Sequence, residues 1–234
     1  MSFTNWYIGM DTNSNTPFPC AGSGKNFYIG RLGGETTSGG GGFDTATAET
    51  VGPTVTSSFW DISGPVNAPA EPYTWGTEQA NAFYNAWISD IYVNGSTLFG
   101  DLEPGNYPGS WGSNQTDNQN VVYGFLNKLK SLGVTPGLYV STSNWDTYLG
   151  PTYASPVPFV FWLAGTDCPT SCSAAETEFN NSTTDITRGG YRVMIWQYVI
   201  AYDPTTGGGC KNETKDYDIT PYSGYLTGHW NPTT

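Results

Sequence analysis

The seven residues Phe99-Gly100-Asp101-Leu102-Glu103-Pro104-Gly105 read as the end of a strand running into a loop. Thr97 and Leu98 lead in, Pro104-Gly105 closes the run, and a strand is expected over 97–103. Alternate side chains of a strand share a face, so Asp101 and Glu103 are expected to point the same way. Two carboxyl groups held together push their proton affinities apart, because like charges in a low-dielectric cleft do not both ionise freely. One acid kept protonated beside one kept charged is what hydrolysis of a glycosidic bond requires. The plain alternative is a surface Asp and Glu where a strand meets a loop, so the rest of the chain decides.

Working outward, apolar, β-branched and aromatic runs recur between turn residues. Strands are expected over 6–11, 26–32, 56–62, 97–103, 135–141, 159–164, 192–199 and 216–220. A helix is expected over 77–92, with Ala80, Phe83, Tyr84, Trp87, Ile88 and Ile91 on one face. A second runs from about 118 to 132, its stripe being Val121, Val122, Phe125, Leu126, Leu129 and Leu132, with Gly133 as cap. Part of 174–187 is a candidate third. The stretches 14–25, 35–53 and 205–210 are rich in Gly, Pro, Ser and Thr, and Gly39-Gly40-Gly41-Gly42 is a costly helix. The expected class is α/β: one irregular TIM-type (β/α) barrel spanning 1–234. Some of its outer helices are missing or replaced by Gly-rich loops. Neither an internal repeat nor a long linker divides the chain.

The 234 residues carry a net charge of −12, with 8 Lys and Arg against 20 Asp and Glu. Nucleic acid is not an expected partner, since binding it needs clustered basic residues. No apolar run is long enough to span a membrane. Residues 1–5 lack a basic segment followed by an apolar one, so the expected secreted or cell-surface location needs either a leader already removed or another route out of the cell. Only 12% of residues are charged, while Gly (30), Tyr (16), Phe (11) and Trp (9) abound. Such a composition suits a carbohydrate-binding surface, where aromatic faces stack on sugar rings and polar side chains hydrogen-bond. Four cysteines allow three pairings: Cys168 and Cys172 are close enough in sequence to close a small loop, leaving Cys20 with Cys210. The single histidine, His229, and the cysteine spacings do not make a zinc site, and neither cofactor nor metal is expected.

The acids fall at the ends of expected strands. Asp11 ends the first, Asp61 the third, Asp101 and Glu103 the fourth, while Asp216 and Asp218 lie in the last. In a parallel barrel the strand ends open on one face and the first strand neighbours the last, so these carboxylates are expected to share a cleft. For Asp61 a local hydrogen bond to the following loop is an equal alternative.

An ordered set of short motifs then resembles glycoside hydrolase family 25, the lysozyme-type muramidases, and related barrels. The set comprises Gly9-Met10-Asp11, Phe27-Tyr28-Ile29-Gly30-Arg31, Asp101-Leu102-Glu103 and Gly137-Leu138-Tyr139-Val140-Ser141. Phe161-Trp162-Leu163-Ala164, Trp196-Gln197-Tyr198 and Asp216-Tyr217-Asp218-Ile219 complete it. The resemblance implies an irregular barrel of five β/α units and three further strands. It makes Glu103 the proton donor and Asp101 its charged partner, either attacking or orienting the substrate's N-acetyl group. Asp11 and Asp218 would tune them, with Asp216 competing for the last place. Arg31, Tyr139, Trp162, Trp196 and Tyr198 would form a sugar-binding wall, with Gln197 a polar contact. Thr12-Asn13-Ser14-Asn15, the Trp60-Asp61-Ile62-Ser63 run and the 35–53 region depart from the family pattern.

The expected function is a monomeric glycosidase cutting β-1,4 bonds of peptidoglycan or a related amino-sugar polymer. A non-catalytic polysaccharide-binding or surface barrel is the main alternative. A hydrolase using Asp11, Asp101 and Asp218 as oxygen ligands to a metal is a third.

Overall fold

The computed structural model describes residues 7–12, 27–35, 43–44, 57–90, 96–104, 110–165, 187–202 and 215–220. In chain order these form β1 (Tyr7–Thr12), β2 (Phe27–Glu35), β3 (Phe43–Asp44), β4 (Ser57–Asp61), α1 (Pro72–Asp90) and β5 (Thr97–Asp101). There follow α2 (Gln115–Ser131), β6 (Thr135–Val140), a short helical turn over Thr142–Asn144 and a π-helical turn over Trp145–Leu149. The chain continues with β7 (Val160–Leu163), β8 (Thr187–Arg188), β9 (Tyr191–Tyr202) and β10 (Lys215–Thr220).

The sheet order is β1-β10-β9-β7-β6-β5-β4-β2-β3, and β1 also pairs with β2. Seven strands, β1, β2, β4, β5, β6, β7 and β9, are joined by parallel pairings, while β10 lies antiparallel between β9 and β1. The class is therefore α/β with a mostly parallel sheet. Each of the eight expected strands is found, displaced by a few residues at its ends. The fourth ends at Asp101 rather than Glu103. Pairing still persists there, because Leu102 N–H donates to the Tyr139 carbonyl at 2.9 Å. Within the interval expected as loop, β3 pairs with Gly34 and Glu35 of β2. Most of the candidate third helix lies outside the described residues, as do all four cysteines.

Both expected helices begin earlier than their apolar stripes. The first starts at Pro72, since proline is tolerated in a first turn whose N–H groups lack partners anyway. The second starts at Gln115, where the Asn114 side chain accepts from the N–H groups of Thr116 and Asp117. Ile88, expected on the buried face of α1, is 46% exposed.

Parallel strands alternate between two faces. One face of the sheet is covered by the helices: Trp60, Leu98, Leu138, Val140, Phe161 and Leu163 pack with Phe83, Trp87, Val121, Phe125 and Leu129. The opposite face gathers Phe27, Ile29, Phe59, Phe99, Tyr139, Val160, Trp162 and Ile195 in a second cluster. The helices meet at glycines. A Cβ on Gly76 would overlap the Val121 carbonyl, and one on Gly124 the Tyr73 carbonyl. Gly124→Ala should therefore force α1 and α2 apart and cost about 1–3 kcal/mol, as overpacking of a close contact does. Urea unfolding measures it, and an unchanged midpoint would contradict this account of the helix pair.

Candidate active site

The acids lie where parallel register places them. Asp61 of β4 is paired with Asp101 of β5, and Asp101 with Tyr139 of β6. Two residues earlier the same strands align Phe59, Phe99 and Gly137. Each acid therefore stands one step beyond an aromatic floor on its own face. Trp162 of β7 lies across that floor, edge-on to Phe99 at 5.2 Å and Phe59 at 6.1 Å, with its ring 4.4 Å from that of Tyr139. Phe59 and Phe99 were not expected at the site, although the repeated Phe-x-Asp of β4 and β5 is a signal for them.

Four aspartates are buried here: Asp11 is 7% exposed, Asp61 4%, Asp101 4% and Asp218 0%. An ionised carboxylate out of water is costly unless a donor meets it. Gln197 Nε2 donates to Asp11 Oδ2 at 2.6 Å, and Trp162 Nε1 to Asp218 Oδ1 at 2.8 Å. Arg31 reaches Asp61 Oδ2 with Nε at 2.8 Å and a terminal nitrogen at 2.7 Å. Asp101 is met differently. Burial first, then the charges of Glu103, Asp61 and Asp11, with a hydrogen bond to Asp61, hold its carboxyl well above the usual carboxylate range. These surroundings favour the neutral form of Asp101 in the unliganded site.

Glu103, half-buried, joins the same group through Tyr139. The Tyr139 hydroxyl lies 2.6 Å from Gln197 Oε1 and 3.3 Å from Glu103 Oε1. Gln197 turns its amide nitrogen to Asp11, which leaves its oxygen for the Tyr139 proton. A phenol has a single proton to give. At 2.6 Å against 3.3 Å, that proton is directed chiefly to Gln197, and the contact with Glu103 is the weaker of the two.

The other expected residues divide. Arg31 is turned to Asp61. Trp196 lies with Leu163 in the helix-covered cluster, on the opposite strand face from Gln197, and so away from the acids. Asp216 is the register partner of Asp11. The side chains of Asp216 and Tyr198 lie outside the described residues. Among the described residues, no three His, Cys, Asp or Glu side chains converge closely enough to hold a metal ion. No described helix is long and apolar enough to cross a membrane.

With acids at the carboxyl ends of a mostly parallel sheet, the fold is that of a lysozyme-type α/β protein. It is similar to the bacterial lysozyme from Streptomyces coelicolor, at 16% identity over 97% of this chain and 100% of that one, with a TM-score of 0.58. A family 25 glycosyl hydrolase from Bacillus anthracis is similar at 14% identity, over 92% and 88% of the two chains, with a TM-score of 0.53. The modular autolysin LytC of Streptococcus pneumoniae, in complex with a synthetic peptidoglycan ligand, is similar at 12% identity and a TM-score of 0.55. That match covers 92% of this chain but only 46% of LytC, so the chain spans about half of that longer protein. By sequence the chain belongs to the family of Lysozyme-like protein 1, whose model matches residues 14–184. The match includes Asp61, Asp101, Glu103, Tyr139 and Trp162 and stops short of Gln197 and Asp218. No curated protein matches the chain by sequence.

The raised carboxyl of Asp101 has a consequence for stability. Below about pH 4, the ordinary carboxylate value, folded and unfolded chains both hold its proton and there is no penalty. As pH rises, the unfolded chain ionises freely while the folded one must keep the proton or bury a charge, so stability is lost through the folded value. Asp101→Asn, which stays neutral, should gain on the native chain at up to about 1.4 kcal/mol per pH unit within that window. Urea unfolding near pH 4 and pH 8 measures the difference. An equal gap at both pH values would contradict it.

Proposed function

We propose that this chain is a glycoside hydrolase that cuts β-1,4 bonds of peptidoglycan or a related amino-sugar polymer. The line Glu103–Tyr139–Gln197–Asp11, set beside Asp101, carries the reading. Asp11 fixes the Gln197 amide, Gln197 accepts from the Tyr139 hydroxyl, and the same hydroxyl lies within reach of Glu103. Glu103 is also the most exposed of these carboxyls, where a glycosidic oxygen can reach it.

In this mechanism Glu103 gives its proton to the leaving oxygen as the bond to the anomeric carbon breaks. Asp101, after donating to Asp61, still has an oxygen to accept the N–H of the substrate's acetamido group. Its neutral state suits orienting that group rather than direct attack. The acetamido oxygen then bonds to the anomeric carbon. Glu103, now ionised, removes a proton from the water that opens the ring so formed, and the starting protonation returns. Asp218 stays ionised beneath the Trp162 indole and contributes negative potential to the developing positive charge. Tyr139 and Trp162 form the floor.

We read the sheet as an irregular barrel of one domain, a reading supported by the pairing of β1 with both β10 and β2. Action on cell-wall polymer implies a secreted, carbohydrate-binding monomer, for which disulfides among Cys20, Cys168, Cys172 and Cys210 would be in keeping. The depth at which Asp101 and Asp218 are buried favours a second reading, a barrel that binds polysaccharide without cutting it. Glu103→Gln separates the two. We expect it to abolish release of reducing ends from purified peptidoglycan, at least about a hundredfold as loss of a general acid does, with the melting temperature kept. A native chain that sediments with wall material and releases no reducing ends establishes the binding reading instead.

A further inference from the structure

Arg31 and Asp61 stand outside the line of residues that reaches Glu103, yet Asp61 meets Asp101 directly. Two Arg31 nitrogens converge on one Asp61 oxygen at 2.7 and 2.8 Å, with the side chains only 15% and 6% exposed. A guanidinium so placed keeps Asp61 ionised. Register sets Asp61 beside Asp101 across the β4–β5 ladder, and the ladder runs on, since Ile62 N–H donates to the Asp101 carbonyl at 2.9 Å. The two side chains therefore stand on neighbouring parallel strands, about 4.8 Å apart, on one face.

Arg31 is aimed by an irregularity in β2. It aligns with Phe59 of β4, but the next aligned pair is Gly33 with Trp60, so the ladder slips by one residue at Leu32. Such a bulge re-aims a side chain. Here it brings the guanidinium onto an acid two residues beyond its own register partner.

We propose that Asp61, held by Arg31, is a positioning residue that receives the Asp101 hydrogen bond and so fixes that side chain at the site. The inference rests on the reading of Asp101 as the partner of Glu103. Asp61 accepts the Asp101 proton bond, so its charge and its geometry both favour the neutral acid. The other groups that face Asp101 are Glu103 on its own strand, Asp11 from β1 and the Tyr139 phenol from β6. Glu103 and Asp11 act in the same direction as Asp61 when charged, and burial adds to them. What distinguishes Asp61 is that it alone both repels a charge on Asp101 and receives its proton bond.

The test is the carboxyl carbon titration of Asp101, followed by nuclear magnetic resonance in the native chain and in Asp61→Asn, between about pH 5 and 9. That range lies above the isoelectric point of 4.1. Native Asp101 should still be taking up its charge within the range. In Asp61→Asn the repelling charge is gone and an amide N–H can face Asp101, so the midpoint should fall by about one unit or more. Asp61→Ser serves if the Asn variant does not fold. A midpoint unchanged in a folded variant overturns the proposal, as does a native Asp101 already ionised at about pH 5. Hydrolysis is scored separately. A high Asp101 midpoint that falls in the variant, in a chain releasing no reducing ends, removes the hydrolase reading and leaves this pairing. An ordinary midpoint in an active chain does the reverse.

Discussion

Asp11, Asp61, Asp101 and Asp218 are buried on one face of one sheet, and taking four carboxyls out of water limits what every neighbour can be. Each is met by a different device. Asp61 receives a guanidinium, Asp11 a glutamine amide and Asp218 an indole N–H, while burial and neighbouring acids push the Asp101 carboxyl well above the usual carboxylate range. Those choices propagate. The amide that serves Asp11 is thereby oriented, and its oxygen accepts from the Tyr139 hydroxyl, which also lies within reach of Glu103.

The aromatic floor makes this electrostatics effective. Phe59 and Phe99 stand one step before the acids with Trp162 packed against them, and together they exclude water from beneath the site, which strengthens each charge interaction above. The same strands send Trp60, Leu98 and Phe161 to the other face, against α1 and α2. Close approach of those helices at Gly76 and Gly124 thus supports the sheet on which the acids stand.

Much of this was legible in local pattern. The eight strands, the two helices and the carboxylates at strand ends follow from runs of apolar and β-branched residues broken by Gly and Pro. Other features were not. The start of α1 was hidden because Pro72 and Gly76 look like breakers, yet one sits at a permitted first turn and the other at a helix crossing. The turn of Arg31 onto Asp61 was hidden because nothing in Ile29-Gly30-Arg31 announces a bulge. Trp196 read as wall because a tryptophan beside Gln197 is equally suited to either face, and alternation places it with the helices.

The sequence by itself determined which residues form strands and which acids follow an aromatic on the same face, since both depend on spacing along a few residues. The tertiary structure alone decided who meets whom: Gln197 with Asp11, 186 residues apart, and Trp162 with Asp218, 56 apart. Those meetings depend on strand order and register, which are set by packing of the whole sheet. The raised carboxyl of Asp101 depends on them in turn, because burial and neighbouring charge belong to the assembled site and not to the residue.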